Sequence, residues 1–177
     1  MKSKIISLSA ISAGLIAISL TIGAYFEIAD IFSVVIASVF VLLPLYYKSY
    51  KGAFLAFLVG GIVAMIISGF NIYSLVFLVY FTFFGIYPII RNLLVKINIK
   101  KYLIIIIGAV WFVVISYGAY YYYSLLIGDL LTGLPKWFVD NALYFLFVIA
   151  LVFYFVFDRF IVLVQRVLNY YLYKFIK

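Results

Sequence analysis

Residues 102–126 read YLIIIIGAVWFVVISYGAYYYYSLL, an apolar and aromatic run without a charged side chain. The hydrocarbon core of a lipid bilayer is about 30 Å thick, and an α-helix crosses it with about 20 residues. Inside lipid no water is available to pair with backbone N–H and C=O groups, so a segment of this kind has to be helical. The run therefore predicts a transmembrane α-helix.

The rest of the chain has the same character. Of its 177 residues, 70% are hydrophobic and 10% are charged. A soluble domain is about 45–50% apolar, with about a quarter of its residues charged. So few polar side chains cannot cover a water-facing surface. The composition predicts an all-α integral membrane protein, a single polytopic domain over residues 1–177 that is surrounded by the lipid bilayer.

Five further segments are apolar enough to cross a membrane, which gives a bundle of about six helices. The second segment is short and ends near Pro44. The third and fourth are separated at Gly69 and Asn71, which favours a hairpin over one very long helix. Basic residues among apolar ones at the end of the chain predict that the last span runs on as an interfacial helix over about 159–177. The predicted spans are residues 5–26, 31–47, 52–70, 72–90, 102–126 and 142–164.

The basic residues predict the orientation of the bundle. The net charge is +8, and with six spans every Lys and Arg except Lys136 falls on the side that holds both chain termini. Cytoplasmic segments of membrane proteins carry an excess of Lys and Arg, so both termini are predicted to be cytoplasmic. Because the basic residues form short clusters between apolar spans, nucleic acid is not an expected partner.

Two reactive residue types and several well-known catalytic motifs are missing from this sequence. The chain has no Cys and no His, which removes thiol chemistry and the commonest metal ligand. It also has no Walker, HExxH or Ser-His-Asp pattern. We therefore expect no catalytic residue, metal or cofactor, and we do not expect an enzyme.

Polar and aromatic residues on the side opposite the termini are candidates for a substrate pocket. In this interpretation acidic side chains form the rim, aromatic rings stack on a flat ligand, and a cationic or amine-bearing molecule fits better than an anion. The alternative is ordinary loop charge and interfacial aromatic residues. The candidates are Glu27, Asp30, Asn71, Tyr73, Tyr120, Tyr121, Trp137 and Asp140.

Two spans carry stripes of small residues, which let helix backbones approach closely in lipid. One interpretation is packing within the chain's own bundle; the other is that one stripe, that of the first span, faces a partner membrane protein. The third span has Gly52, Ala56, Gly60 and Ala64, predicted to serve helix packing. The first span has Ala10, Ala13, Gly14 and Ala17, predicted to dock a partner.

Asp158 is the one acidic residue near the predicted inner boundary. Its position predicts a local ion pair with Arg159 or a contact to a basic loop residue; docking of a cytoplasmic partner is the alternative. The inner loop from Arg91 to Lys101 is basic, and attraction to anionic lipid explains its charge without a partner.

The layout resembles the substrate-binding S components of energy-coupling factor (ECF) transporters, which are bacterial vitamin importers. The chain shares their length, six spans, inward termini and a small-residue first helix with Ala13-Gly14-Leu15-Ile16-Ala17. In that family an Ala-x-x-x-Ala stripe docks the coupling helices of the transmembrane partner. The resemblance implies a multi-pass protein of the bacterial cell membrane, a small-molecule ligand, a transmembrane coupling subunit and ATPase subunits.

The chain also resembles membrane proteins of Firmicute-type bacteria with an S-component-like layout. These carry a Tyr-Pro-x-x-basic segment, matched by residues 87–91, and an aromatic stretch ending in Asp, matched by residues 153–158. A different class stays open: a non-catalytic scaffold similar to the rod-shape protein MreD. A capture subunit predicts outer polar side chains that converge inside the bundle, whereas a scaffold predicts that they point outward.

Overall fold

The computed structural model describes residues 2–70, 74–127 and 136–176, and within these ranges the chain is mostly helical and has no strand. A 3₁₀ turn at Glu27–Ala29 follows the first helix, and a π-helical turn at Tyr80–Phe84 follows the fifth. The α-helices are α1 (Lys2–Tyr25), α2 (Asp30–Phe40), α3 (Leu42–Leu45), α4 (Tyr50–Ile67), α5 (Leu75–Val79), α6 (Tyr87–Lys96), α7 (Lys101–Ile127), α8 (Lys136–Asp140) and α9 (Ala142–Ile176).

Within the described residues, five helical segments are long and apolar enough to cross a membrane. This confirms the predicted all-α membrane bundle. The second predicted span corresponds to a shorter apolar segment, Asp30–Leu45, made of α2 and α3. The five long segments are Ser3–Tyr25, Tyr50–Ile67, Leu75–Lys96, Lys101–Leu125 and Ala142–Tyr171.

Contacts along the first helices show that the short segment also traverses the bundle. Gly52 at the start of α4 lies against Ser9 of α1, and the Tyr25 hydroxyl at the end of α1 donates to the Ile67 carbonyl at the end of α4 (3.2 Å). These two helices are therefore parallel, and the chain between them has to return along their whole length. α2 and α3 make that return.

The remaining segments alternate in direction. The Tyr80 hydroxyl reaches the Phe57 carbonyl of α4 (3.2 Å) and Lys96 lies over the Tyr50 ring, so the fourth traverse is antiparallel to α4. The Tyr117 hydroxyl of α7 reaches the Leu143 carbonyl of α9 (2.8 Å) and Gly108 lies against Tyr154, so these two helices are antiparallel as well. With six traverses, the described ends of the chain lie on the same side of the bundle. We call this the inner side, and the opposite side the outer side.

Small residues set the contact between α1 and α4. A Cβ added at Gly60 would lie 2.7 Å from the Ile16 side chain and 2.8 Å from the Ala13 carbonyl oxygen. Gly52, Ala56, Gly60 and Ala64, the predicted packing stripe, are all buried. Their lack of bulk lets the two backbones approach closely, which is how helices associate where lipid removes the hydrophobic incentive.

The fourth traverse is a discontinuous helix. α5 ends at Val79, a π-helical turn follows, and α6 starts at Tyr87 with Pro88 in its first turn. Pro88 has no N–H to donate to the preceding turn, which breaks the regular helical pattern. The broken backbone lies among buried rings, since Tyr80, Phe83, Phe84 and Tyr87 are at most 5% exposed. Irregular backbone at membrane depth is tolerated where protein covers it.

The last helix is longer than a bilayer core. α9 runs without a break over 35 residues, which is about 52 Å at 1.5 Å per residue. As predicted, the last span runs on without a break into the segment that begins at residue 159, as far as Ile176. Its inner part still packs on the bundle, because Ile161 is fully buried.

Candidate functional site

A cavity of about 400 Å³ opens among four traverses in the outer half of the bundle. It is lined by the start of α2, the start of α5, the outer half of α7 and the start of α9. Aliphatic side chains form most of its walls, and the rings of Phe84, Phe112 and Phe153 close its inner end. Phe112 and Phe153 stack with centroids 5.8 Å apart, which gives the cavity a flat aromatic floor.

The polar lining is confined to a few side chains. Asp30, Ser116, Tyr120 and Tyr123 line the cavity, and the Ser116 hydroxyl donates to the Phe112 carbonyl of its own helix (2.9 Å). Asp30 is the first residue of α2, and Tyr120 and Tyr123 belong to the last turns of α7. The polar end is therefore the outer end, and the inner end is apolar.

Two of the predicted pocket residues meet at this cavity. Asp30 and Tyr120 are 90 positions apart in sequence, and both line it. Tyr121 and Trp137 do not line it; they are 54% and 63% exposed. Asp140 is exposed as well. Asn71 and Tyr73 lie outside the described residues, and so does the side chain of Glu27.

Most of the lining was not predicted from the sequence. The missed polar residues are Ser116 and Tyr123, and the missed small ones are Ala119 and Ala150. Tyr120 and Tyr123 are three positions apart, so they share one helical face. That spacing in the Tyr-rich end of α7 was the available signal, and it singles out Tyr123 rather than Tyr121.

The predicted docking stripe on α1 divides between two faces. Ala17 is 5% exposed and Ala13 is packed against the core, so both lie within the chain's own bundle. Ala10 and Gly14 are exposed, and a Cβ at Gly14 would meet nothing within 4 Å. Only the second pair lies on an open face.

A buried polar cluster lies on the inner side of the aromatic floor. Arg91 Nε donates to Asp158 Oδ1 at 2.7 Å, and the Tyr87 hydroxyl donates to the same oxygen at 2.6 Å. The Tyr154 hydroxyl is 3.0 Å from that of Tyr87, and it must be the donor because the Tyr87 proton is already used. Asp158 and Arg91 are 2% and 8% exposed. The cluster connects the fourth traverse to α9.

This cluster corrects two predictions. Arg91 was predicted to begin the inner loop 91–101, but it belongs to α6 and is buried. Of the contacts predicted for Asp158, the one to a basic residue of the segment 91–101 is observed, with Arg91, while its neighbour Arg159 is exposed; the position of Asp158 in its helix is what differs. Because the apolar helix extends to Tyr171, Asp158 lies near the middle of that helix instead of near its end. A carboxylate at that place is expensive unless a counter-ion neutralises it.

Among the described residues, no group of three or more acidic side chains could hold a metal ion. Comparison with protein-family models, with curated proteins and with solved structures gives no match. The class that fold and cavity define is a multi-pass helical membrane protein with an outward cavity. Any finer assignment is argued below from the cavity itself.

Proposed function

We propose that this chain is the membrane-embedded substrate-capture subunit of an ECF-type importer and that it binds a small, largely apolar molecule in the outer cavity. The observation that carries the proposal is the cavity itself. Its volume of about 400 Å³ falls within the range of about 300–1,000 Å³ that is typical of small-molecule sites. Apolar walls with a few polar groups at one end are also typical of such sites.

The chemistry of the lining suggests how the ligand is oriented. An apolar or aromatic part would lie on Phe112 and Phe153, and a polar part would point outward to Asp30, Tyr120 and Tyr123. A carboxylate favours a ligand that carries an amine or another hydrogen-bond donor. The discontinuous fourth traverse contributes Val79 and Phe84 to the wall, and broken helices often border binding sites in transporters.

Energy for import would come from partners. This sequence has no nucleotide-binding motif, so a transmembrane coupling subunit and ATPase subunits would supply the motor. On α1 the open face at Ala10 and Gly14 is available for a close helix contact, of the kind that small residues allow in lipid.

The second candidate is a scaffold similar to MreD. The exposure of Tyr121, Trp137 and Asp140 favours it, since a scaffold turns its outer polar residues away from the bundle. The convergence of Asp30, Tyr120 and Tyr123 on one cavity favours the capture subunit. We place the capture subunit first because a scaffold has no need of a cavity of this size.

The test is purification of the full chain from its native membrane in a mild detergent, with mass spectrometry of the bound small molecules and proteins. Ala119→Phe places a ring in the cavity. Gly118→Phe is the matched control, because a Cβ at Gly118 meets nothing within 4 Å. We expect Ala119→Phe to lower the co-purifying ligand at least about tenfold, which corresponds to about 1.4 kcal/mol, and the control to retain it.

Equal ligand retention by both variants would remove the cavity from the proposal. The proteins in the same sample decide between the two classes. An ATPase pair with a large transmembrane subunit supports the capture subunit. Cell-wall or shape proteins without a ligand support the scaffold.

A further inference from the structure

A second cavity, of about 390 Å³, lies on the inner side of the bundle, opposite the ligand cavity. It is bounded by the end of α6, the start of α7 and the inner part of α9. Arg91, Lys101 and Arg166 contribute three cationic side chains to its lining, and Asn98 contributes an amide. We call it the inner basic pocket.

The charge of this pocket is not compensated locally. Its one described carboxylate neighbour is Asp158, which binds Arg91. The other described acidic residues are at the outer side: Glu27 starts the 3₁₀ turn after α1, Asp30 begins α2 and Asp140 ends α8. A pocket with three cations and one paired carboxylate favours an anion.

Arg91 gives the pocket a fixed cationic wall. It is 8% exposed and is held by the 2.7 Å bond from its Nε to Asp158 Oδ1. A guanidinium has five N–H donors in a rigid fork, and among the described residues this carboxylate is the acceptor that the structure gives it. The terminal amino groups are therefore left for another acceptor, and guanidinium geometry suits phosphate oxygens.

Neighbouring lysines do not share this position. The Lys96 ammonium lies 5.0 Å from the centre of the Tyr50 ring, and the Lys100 ammonium lies 5.9 Å from that of Tyr102. Lys101 and Arg166 line the pocket instead. Of the basic side chains in this region, only some therefore line the pocket.

The remaining lining is aliphatic: Val95, Ile99, Ile104 and Val162. α7 begins at Lys101, so the positive end of its dipole lies at the same pocket. Cations at the boundary of an apolar bundle, with aliphatic walls beside them, match a phospholipid, whose phosphate and acyl chains are adjacent. A free inorganic anion would make no favourable apolar contact with the aliphatic wall.

We propose that the inner basic pocket binds the phosphate of an anionic phospholipid, in contact with Arg91, Lys101 and Arg166. Basic pockets between transmembrane helices on the inner side are known to hold lipid headgroups. This proposal does not depend on the ligand of the outer cavity. It differs from attraction to the whole basic surface, because it assigns the effect to two exposed residues that can be replaced.

The test uses the purified full chain in detergent and native mass spectrometry, with added phosphatidylglycerol, phosphatidylcholine or inorganic phosphate. The pocket variant is Lys101→Gln with Arg166→Gln, which leaves the buried Arg91–Asp158 pair intact. The control variant is Lys51→Gln with Lys174→Gln. It removes the same charge from two exposed residues that do not line the pocket.

For the unaltered chain we expect phosphatidylglycerol to be retained at least about tenfold more than phosphatidylcholine. The pocket variant should lose most of this preference and the control variant should keep it. Equal loss in both variants would assign the effect to overall charge and overturn the proposal. Equal retention of the two lipids would also overturn it, and so would displacement of phosphatidylglycerol by inorganic phosphate at the same concentration.

Discussion

Asp158 and Arg91 form a buried ion pair that joins the fourth traverse to α9 in the inner half of the bundle. Removing one member of a buried ion pair leaves the other charged and unpaired, which typically costs about 3–5 kcal/mol. We expect Asp158→Ala to lower the free energy of unfolding by about this amount, measured by thermal or chemical unfolding in detergent. The loss includes the acceptor for the Tyr87 hydroxyl, which also bonds Asp158.

Two further variants test whether Arg91 is the partner. Arg159 is next to Asp158 in sequence but exposed, so Arg159→Gln should change stability by no more than about 0.5 kcal/mol. Combining Asp158→Ala with Arg91→Met removes both charges and should recover part of the lost stability. A larger effect of Arg159→Gln than of Asp158→Ala would contradict the pairing.

The contact of Asp158 with Arg91 in particular, rather than with another basic residue, is a feature of the structure that could not be predicted from the sequence. Arg91 and Asp158 are 67 positions apart, and each has basic neighbours that offer a simpler explanation of its charge. The aromatic stretches around both residues gave a resemblance to other proteins but no contact. The packing of α9 against α6 and α7 brings them together, and patterns of hydropathy and charge do not show which helices are neighbours.

The contact between α1 and α4 is where small residues matter at the scale of helices. A side chain at Gly60 would press on Ile16 and on the Ala13 backbone, and overpacking of this kind costs about 1–3 kcal/mol. We therefore expect Gly60→Ala to lower the unfolding temperature of the chain in detergent. Gly14→Ala is the matched control on the open face of α1.

Gly14→Ala has no contact to lose, and alanine is favoured over glycine inside a helix by about 0.5–1 kcal/mol. We expect it to leave the unfolding temperature unchanged or slightly raised. If both variants destabilise equally, α1 and α4 do not approach at Gly60 as described. If Gly14→Ala alone destabilises, the open face of α1 is covered by a second molecule.

Hydropathy predicts which segments form long helices, but it does not show where a helix is interrupted or continues past a charged residue. The span predicted at 102–126 agrees with Lys101–Ile127 to within one residue at each end, because charged and polar residues bound it. The fourth traverse was predicted to end at residue 90 and extends to Lys96. Arg91 was taken as its boundary, whereas a partner on α9 makes the charge acceptable within the helix. The π-helical turn left no signal apart from Pro88.

At the scale of the whole molecule, the sequence predicted the side of the bundle on which the outer cavity lies but little of the cavity's lining. Asp30 and Tyr120 were expected on the outer side because the alternation of spans places both there. Their convergence on one cavity depends on which traverses are neighbours, and Tyr121 and Trp137 show that the correct side does not imply the correct face. Charge asymmetry gives the side of a residue, and tertiary packing decides whether it meets a ligand.

The number of traverses decides the topology, and α2 with α3 is the critical segment. Together they cover Asp30–Leu45, which is about 24 Å at 1.5 Å per residue and less than a full bilayer core.

The chain has no native Cys, so single cysteines can be labelled in intact cells with a membrane-impermeant maleimide. We expect Lys136→Cys to be labelled from outside, and Lys48→Cys and Lys174→Cys to be labelled only after the membrane is permeabilised. Lys4→Cys, at the start of α1, is the reference and should be labelled from the same side as Lys48→Cys. If Lys48→Cys and Lys174→Cys were instead labelled from the side opposite to Lys4→Cys, α2 and α3 would not cross the membrane, because four traverses keep Lys48 and Lys174 on one side in either case. The parallel contact between α1 and α4 makes that outcome the one we do not expect, since Gly52 lies beside Ser9 and Lys48 is four residues before Gly52 in the chain.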